Sequence, residues 1–400
     1  MAAVHERLVA YEERLEEMTK HHLGYPYNLT FEPSRLNAFM KFSINNLGDP
    51  FVASNYRVDS REFELEVLTW FAKVFEAKEG EYWGYTTACG TEGNLLGMIY
   101  AREALPEAVV YCSKETHYSI GKACLMYRMK CVFVESRYSG QMDYGALADA
   151  LKEQPKDTPA IVVCNAGTTV KGAVDCIDSI VDTLVAHGLS REQYYIHVDG
   201  ALNGLVNHFA VGRPTDDRYQ ISFAKGSVDS ISISGHKLLG CPMPCGIVLT
   251  RKEHSERFSR DIEYLNSTDT TIMGSRNGHA ALHLYYNIMR KGTVGLTEDV
   301  KVCRANAEYL RSKLQEHGMS VLLNKFSITV CLERPPEAVV RKYQLACVGT
   351  IAHVVCMPSV TTAILDEFMA EVIAARGDAP QQCVAPHMGP VRCCCDACKA

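Results

Sequence analysis

A lysine stands just after a predicted strand in the segment "SGHKLLG" (residues 234–240), with a glycine and a histidine before it. An ammonium group without a partner is costly to bury, so Lys237 either lies in solvent on a loop or acts chemically as an amine. Burial in a partly apolar pocket lowers the pKa of a lysine side chain and yields a free amine that can attack a carbonyl carbon. Covalent catalysis and a solvated loop position are therefore the two alternatives for Lys237.

A carboxylate follows a second predicted strand, in "YYIHVDGAL" (194–202). Asp199 can pair there with a cation or a metal ion, or it can cap the next turn. Ligands of parallel sheets bind outside the carboxyl ends of the strands. Asp199 and Lys237 are thus candidates for one shared site.

Small residues lead directly into a predicted helix at "TTACGTEGN" (86–94). The free N–H groups and the positive dipole end of a helix bind anions, and Gly90 and Thr91 would let a phosphate approach closely. An ordinary capped helix, with Thr91 as the cap and Asn94 three residues later, is the alternative. The chain has neither a GxxxxGKS/T motif nor a strand that ends in GxGxxG, so neither nucleotide-binding motif explains this segment.

A histidine lies between a predicted strand and a predicted helix, in "KETHYSIGKA" (114–123). His117 can cap the helix, titrate, or stack on an aromatic ligand, and a purely structural role is the alternative. Taken with Asp199, Lys237 and the Gly90 turn, it completes a pattern. A lysine for a Schiff base, a carboxylate for a pyridine nitrogen and a helix N-terminus for a phosphate are what pyridoxal 5'-phosphate requires. The combination predicts a site for that cofactor.

The segments between these residues alternate between strand and helix patterns, which favours βαβ units and a mostly parallel sheet. Helices are predicted at both ends of this region as well, and the one at 3–20 could pack on a partner subunit or on its own domain. Strands are predicted at 108–112, 131–135, 160–165, 194–199, 230–234 and 246–250. Helices are predicted at 3–20, 60–77, 93–104, 119–129, 144–154 and 177–187.

The second half of the chain has a shorter pattern, which predicts a smaller α+β domain. Its predicted helices are 276–292, 297–316 and 362–375, and its predicted strands are 327–333 and 351–358. We therefore expect an N-terminal helix and arm (1–58), a large domain (59–290), a small domain (291–376) and a flexible cysteine-rich tail (377–400). The tail contains Cys393, Cys394, Cys395 and Cys398, but their spacing does not match a tetrahedral zinc site, and we predict no metal.

The composition argues against several functional classes. The formal net charge is -6, which disfavours a nucleic-acid surface. The first twenty residues are acidic and amphipathic, unlike a signal or transit peptide, and no stretch has the uninterrupted apolar length of a membrane span. Seventeen cysteines in a chain without a secretion signal are expected to stay reduced. We expect a cytoplasmic protein that binds neither nucleic acid nor membrane.

Seven segments in the same order resemble the group II pyridoxal-phosphate decarboxylases, and the resemblance covers about residues 20–375. Within that group they are most similar to plant-type serine decarboxylases and to the related bacterial histidine decarboxylases. The resemblance implies fold type I, the aspartate-aminotransferase-like architecture with a mostly parallel seven-stranded sheet, and a homodimer with the active site at its interface. The segments are "FSINNLGDPF", "WGYTTACGTEGN", "ETHYSIGKA", "GTTVKGAVD", "HVDGAL", "SGHKLLGCPMPCG" and "IMGSRNGH".

The resemblance also implies a role for each matching residue. Lys237 would bind the cofactor covalently, Asp199 would pair with the pyridinium nitrogen, and His117 would stack on the ring and contact the substrate carboxylate. Ala201 would lie beneath the ring. The other expected cofactor contacts are Gly90, Thr91, Ser234 and His236 at the phosphate, Asn165 and Thr168 near the phenolic oxygen, and Ser275 at the neighbouring subunit's phosphate.

The expected reaction is decarboxylation of a small L-amino acid. The pieces "HVDGALNG", "GCPMPCG" and "HVVCMPSV" favour L-serine, with ethanolamine and CO2 as products, and L-histidine is the alternative. Transamination or aldol cleavage is a remoter alternative, since the late strand "IAHVVCMP" lacks the arginine that aminotransferases commonly use to hold the α-carboxylate. A non-catalytic homologue is the remaining hypothesis. Tyr264 lies in the region of a proton-donating loop tyrosine of related enzymes without clearly matching it, so the proton donor stays open.

Overall fold

The computed structural model describes residues 2–210 and 217–377. Within these residues a seven-stranded sheet forms the main layer and a four-stranded sheet lies in the C-terminal part. The strands of the main sheet are β1 (Tyr82–Thr87), β2 (Val109–Ser113), β3 (Cys131–Val134), β4 (Ala160–Asn165), β5 (Tyr194–Asp199), β6 (Ser230–Ser234) and β7 (Gly246–Arg251). A separate hairpin is made of β8 (Arg260–Ile262) and β9 (Ser267–Asp269).

The smaller sheet has the order β10-β11-β13-β12, and all its neighbouring strands are antiparallel. Its strands are β10 (Val321–Leu323), β11 (Thr329–Glu333), β12 (Ala346–Val348) and β13 (Ile351–Val355). The α-helices are α1 (Ala2–Thr19), α2 (Arg61–Val74), α3 (Gly90–Ala104), α4 (Tyr118–Tyr127), α5 (Tyr144–Lys152), α6 (Ile177–Ala186), α7 (Asn203–Phe209), α8 (Lys252–Glu256), α9 (Gly278–Glu316), α10 (Glu337–Lys342) and α11 (Thr362–Arg376).

The main sheet has the order β1-β7-β6-β5-β4-β2-β3, and β7 runs in the direction opposite to the other six strands. The reversal follows from the short connection at 235–245, because a parallel return needs a crossover of a dozen or more residues, usually with a helix. Lys237 lies in that connection. Alternate residues of β2 enter different core clusters, Tyr111 on one face and Val110 on the other, so helices cover both faces. The predicted α/β class with a mostly parallel seven-stranded sheet is confirmed.

One strand of the main sheet was missed. Strand β1 was not predicted, because its run "YWGYTT" contains Gly84. That glycine allows a close backbone approach, since a Cβ there would lie 2.2 Å from the carbonyl oxygen of Val248. The two helices predicted at 276–292 and 297–316 are both present, and they meet within α9 at a kink at Gly292, whose backbone is not helical (φ 58°, ψ -173°).

The domain limits at residues 59 and 291 stay a prediction, and the second of them falls inside α9, next to its break. Residues 378–400, which hold the predicted cysteine-rich tail, lie outside the described part of the chain. Helix α1 is present as predicted, and none of its described residues is buried. None of the described helices combines the length and the apolar character that crossing a membrane requires.

Candidate active site

A cavity of about 420 Å³ opens at the carboxyl ends of β4, β5 and β6. The main sheet supplies its floor, the arm after α1 supplies Gly24 to Tyr27, and the smaller sheet closes it with Thr329, His353 and Val355. The structure brings together every predicted site residue except Ser275. The predicted residues that line the cavity are Gly90, Thr91, His117, Asn165, Thr168, Asp199, Ala201, Ser234, His236 and Lys237.

Lys237 is held by its backbone in the tight connection between β6 and β7. Its carbonyl oxygen accepts hydrogen bonds from the N–H groups of Gly240 (3.0 Å) and Asn28 (3.3 Å). Within the described residues its side-chain amine has no hydrogen-bond or ion-pair partner. Burial lowers the pKa of Lys237, and the nearby carboxylate of Asp199 opposes that shift only in part. These surroundings favour the neutral amine more than open solvent would, and the covalent role of Lys237 stays a prediction.

Asp199 ends β5 and lies next to β6, where its register partner is Ser232. The residue is only 7% exposed. Its Oδ2 accepts a hydrogen bond from Asn94 Nδ2 (2.8 Å) and its Oδ1 accepts one from the N–H of Ala201 (3.2 Å). Two neutral donors thus fix the carboxylate at the cavity wall without an ion pair, so that its charge remains available to a cationic group of a ligand.

His117 is the N-cap of α4, and its Nδ1 accepts from the N–H of Ser119 (3.3 Å). The hydroxyl of Ser119 lies 2.7 Å from the same nitrogen. Burial lowers the pKa of His117, with Asp199 acting in the opposite direction and Lys237 adding to the lowering. The capping and ligand-facing alternatives therefore coexist, because Nδ1 caps the helix while the ring lines the cavity.

The beginning of α3 forms a close-packed cradle with the end of β6. A Cβ on Gly90 would lie 2.5 Å from Ser234 Oγ, so a larger residue there would have to displace the serine hydroxyl. Ser232 Oγ donates to the carbonyl oxygen of Gly90 (2.9 Å) and holds the turn against the sheet. With His236 and the free N–H groups of the helix start, the cradle has the donors and the space that a phosphate requires.

Asn165 and Thr168 differ in which of their hydrogen-bonding atoms remain free to contact a ligand. Asn165 Oδ1 accepts from Thr116 Oγ1 (2.8 Å), and its Nδ2 donates to Asp175 Oδ2 (2.9 Å). Burial raises the pKa of Asp175 to about 6, against hydrogen bonds from Met142 and Asn165 that lower it. Asn165 can therefore contact a ligand only through the second lone pair of Oδ1, whereas Thr168 Oγ1 accepts from the N–H of Ala173 (3.1 Å) and keeps its proton free.

Two residues considered in the sequence lie away from the cavity. Ser275 is exposed and accepts a hydrogen bond from Asn45 Nδ2 (3.2 Å). Tyr264 is 82% exposed, in the turn between β8 and β9. Neither lines the cavity of this single chain, so the role predicted for Ser275 would require a second subunit and stays a prediction, and the proton donor stays open.

Several cavity residues were missed by the sequence reasoning. Tyr25 and Tyr27 belong to the arm segment "YPYN", which was not predicted to be part of the site. His353 bridges the carbonyl oxygens of Gly24 and Val170, each at 3.0 Å, and so links arm, main sheet and smaller sheet. Asn203 is 1% exposed, and neither of its side-chain amide atoms has a partner in the described structure. Only the alternation of "HVDGALN" beyond the strand end could have suggested Asn203.

These observations fit pyridoxal phosphate. The cavity has a free amine, a fixed carboxylate and an anion cradle that a Cβ would fill. Asn203 lines the same cavity and its buried amide is unpaired in the described structure. An unsatisfied buried amide is destabilising unless a ligand or water pairs with it. Within the described residues, no cluster of three or more histidine, cysteine or acidic side chains is placed to hold a metal ion.

Comparison with known proteins agrees with this assignment. The pyridoxal-dependent decarboxylase conserved domain matches residues 59–333. Serine decarboxylase 1 of Oryza sativa subsp. japonica is 49% identical over 401 aligned residues, which cover 98% of this chain and 82% of that protein. Histidine decarboxylase of Solanum lycopersicum is 44% identical and covers 92% of this chain and 88% of that protein.

A solved structure is similar over most of the fold. L-methionine decarboxylase from Streptomyces sp. 590 superposes with a TM-score of 0.83 at 26% identity, over 92% of this chain and 94% of that one. The resemblance seen in the sequence segments is thus confirmed over nearly the whole chain. The chain belongs to the pyridoxal-dependent decarboxylase family, and it is a carboxy-lyase that depends on pyridoxal phosphate.

Proposed function

We propose that this enzyme decarboxylates L-serine to ethanolamine and CO2. The observation that carries the proposal is the cavity in which the amine of Lys237, with its lowered pKa, faces the same space as the fixed carboxylate of Asp199. The serine decarboxylase of rice, at 49% identity, supports the choice of substrate. The cavity is lined in part by Asn203, whose buried amide is unpaired in the described structure, and such an amide suits a small hydroxylated side chain.

Different residues of the cavity would bind different parts of the cofactor. Lys237 would bind it covalently, Asp199 would hold a proton on its pyridine nitrogen, and Ala201 would lie beneath the ring. The donors for its phosphate would be Gly90, Thr91, Ser234 and His236, and the donor for its phenolic oxygen would be Thr168, whereas Asn165 has only an acceptor atom left to offer. When bound, pyridoxal phosphate supplies an electron-accepting ring that stabilises the electron pair left on Cα as CO2 departs.

The chain itself then has two tasks in the reaction. His117, whose pKa is lowered by burial, would orient the substrate carboxylate as a neutral hydrogen-bonding ring. Lys237, whose pKa is also lowered by burial, would be the group that moves a proton close to the reacting centre. The tyrosines of the arm and His353 would exclude water from above.

L-histidine is the second candidate substrate, and the 44% identity to the tomato histidine decarboxylase supports it. The two candidates differ in their products. Purified protein supplied with pyridoxal phosphate should be offered each amino acid in turn, and amine and CO2 should be measured. Ethanolamine from serine is the expected result. Histamine as the main product, or a keto acid without CO2, would overturn the proposal.

We propose further that the enzyme is a cytoplasmic homodimer in which Ser275 reaches the neighbouring subunit's phosphate. Helix α1 supports this arrangement, since it exposes an apolar stripe that a second copy would cover, with Val4 57%, Leu8 61% and Met18 55% exposed. Mixing two inactive variants tests the idea. In the mixed dimer, one subunit carries Lys237→Ala and the other carries Ser275→Asp. This dimer should recover activity if Ser275 serves the partner's site, and it should stay inactive if Ser275 serves the site of its own subunit.

A further inference from the structure

The side-chain amide of Asn94, on α3, contacts the carboxylate of Asp199 directly and is linked to His117 through Ser119. Its Nδ2 donates to Asp199 Oδ2 (2.8 Å) and to Ser119 Oγ (2.9 Å). Its Oδ1 lies 3.0 Å from His197 Nε2. Asn94 is 2% exposed, and Ser119 and His197 are fully buried, so water does not compete for these contacts.

The hydrogen bonds determine where the protons lie on the His117 side. An ionised carboxylate only accepts, so the amide nitrogen of Asn94 must face Asp199, and the same nitrogen donates to Ser119 Oγ. The hydroxyl proton of Ser119 is then left for His117 Nδ1, 2.7 Å away. The N–H of Ser119 points to the same nitrogen at 3.3 Å. Because Nδ1 accepts from two donors, the ring proton of neutral His117 lies on Nε2.

The carbonyl side of the Asn94 amide is held in place as well, by its contact with His197. Burial lowers the pKa of His197 to about 4, with Asp199 opposing the shift, so the ring is neutral near pH 7. Its Nδ1 lies 2.7 Å from the hydroxyl of Ser230, which leaves Nε2 to donate to Asn94 Oδ1. His197 lies two residues before Asp199 on β5, and therefore on the same face of the strand. A flip of the Asn94 amide would break the contacts with His197 and Asp199 at once.

We propose that Asn94 is a positioning residue that ties the carboxylate of Asp199 to the imidazole of His117 and, through Ser119, keeps the proton of His117 on Nε2. The inference rests on the proposed function for the roles of Asp199 and His117. The inference adds that the single amide of Asn94 positions both the carboxylate of Asp199 and the imidazole ring of His117, so that the two groups keep one relative arrangement. The predicted result is an Nε2–H group on His117 that is ready to donate to a substrate carboxylate.

The tautomer can be observed without cofactor or turnover. Full-length protein labelled with ¹⁵N-histidine should be studied by NMR, with His117→Gln used to assign the signals. The wild type should show an unprotonated Nδ1 on His117. In Ser119→Ala the loss of a donor to the neutral ring should raise the pKa of His117 by up to about one unit. A protonated Nδ1 in the wild type, or an unchanged titration in Ser119→Ala, would overturn the proposal.

The Asp199 side is tested by affinity for pyridoxal phosphate. Asn94→Ala removes a hydrogen bond to a charged group and should weaken cofactor binding about tenfold or more. Ser119→Ala leaves that bond intact and should bind the cofactor as the wild type does. Asn306→Ala is the matched control, because Asn306 donates to the carbonyl oxygen of Val360 far from the cavity. Wild-type affinity in Asn94→Ala would overturn the proposal, whereas failure of the wild type to decarboxylate serine would overturn only the proposed substrate.

Discussion

Gly97 of α3 lies directly against the imidazole of His197 on β5, and a Cβ on Gly97 would lie 2.2 Å from His197 Nδ1. The contact sets how closely the helix approaches the sheet. Because Gly90 and Asn94 lie on the same helix, it also sets the depth of the phosphate cradle and the reach of the Asn94 amide. A ring buried beneath a glycine thus positions the first two turns of α3 over the cavity floor.

Replacing Gly97 tests this contact. Gly97→Ala should lower the free energy of unfolding by about 1–3 kcal/mol, the usual range for overpacking a core, and should weaken cofactor binding because α3 is displaced. Urea denaturation and cofactor titration would measure the two effects. The matched control is Gly121→Ala in α4, where a Cβ would meet only Phe133 at 3.6 Å. That variant should be neutral or slightly stabilised by the higher helix propensity of alanine, and equal losses in both variants would contradict the account.

Stability should depend on pH through His197. Because burial lowers its pKa to about 4, the unfolded chain binds a proton below about pH 6.5 while the folded chain does not. The stability that the fold gains by keeping His197 neutral is therefore fully present above that pH. It is lost as the pH falls towards 4, at up to about 1.4 kcal/mol per pH unit. Urea unfolding between about pH 6.5 and about pH 5 should show a shallower slope in His197→Gln. His317→Gln, at an exposed position, should keep the wild-type slope.

The buried ion pair of Glu64 with Arg276 holds the arm to the main sheet. Glu64 is fully buried and also accepts from the N–H of Thr86 and from Asn46 Nδ2, both at 2.8 Å. Glu64→Gln would leave the guanidinium of Arg276, which is 5% exposed, without its counter-charge. The free energy of unfolding should fall by about 3–5 kcal/mol. Glu298→Gln breaks an exposed pair with Lys301 and should change it by less than about 1 kcal/mol.

Lys237 should be the covalent attachment site of the cofactor. Borohydride reduction of the loaded enzyme, followed by digestion and mass spectrometry, should place the pyridoxyl group on the peptide that contains Lys237. Lys237→Ala should carry no label and should lose turnover. Lys301→Ala, at an exposed surface position, should be labelled and active like the wild type. A label on any other lysine of the wild type would contradict the assignment.

The sequence predicted the parts of the site that follow strands. The positions of Asp199 and Lys237 could be inferred because strand ends of a parallel sheet meet at one edge, and the polar pattern of the loops is local. It did not predict the parts that arrive from a distance. Tyr25 and His353 come from the arm and from the smaller sheet, and no local pattern encodes that convergence. The alternation in "HVD" does place His197 and Asp199 on one face, but only the packing of α3 shows that Asn94 joins them.

As with the site, the sequence predicted some parts of the fold and missed others. Continuous apolar runs such as "AIVVCN" identified the buried strands, whereas β1 was missed because Gly84 interrupts its pattern. The direction of β7 depends on the short 235–245 connection and was not inferred. The resemblance to decarboxylases supplied the overall architecture, which local periodicity alone would have left as a general α/β class.

The most direct test of the account follows carbon from the substrate. Wild-type protein loaded with pyridoxal phosphate should be given carboxyl-labelled L-serine, and labelled CO2 and ethanolamine should be measured together. The account predicts the two products in equal amounts from the wild type and none from Lys237→Ala. Release of labelled CO2 from histidine but not from serine, or undiminished release by Lys237→Ala, would contradict it.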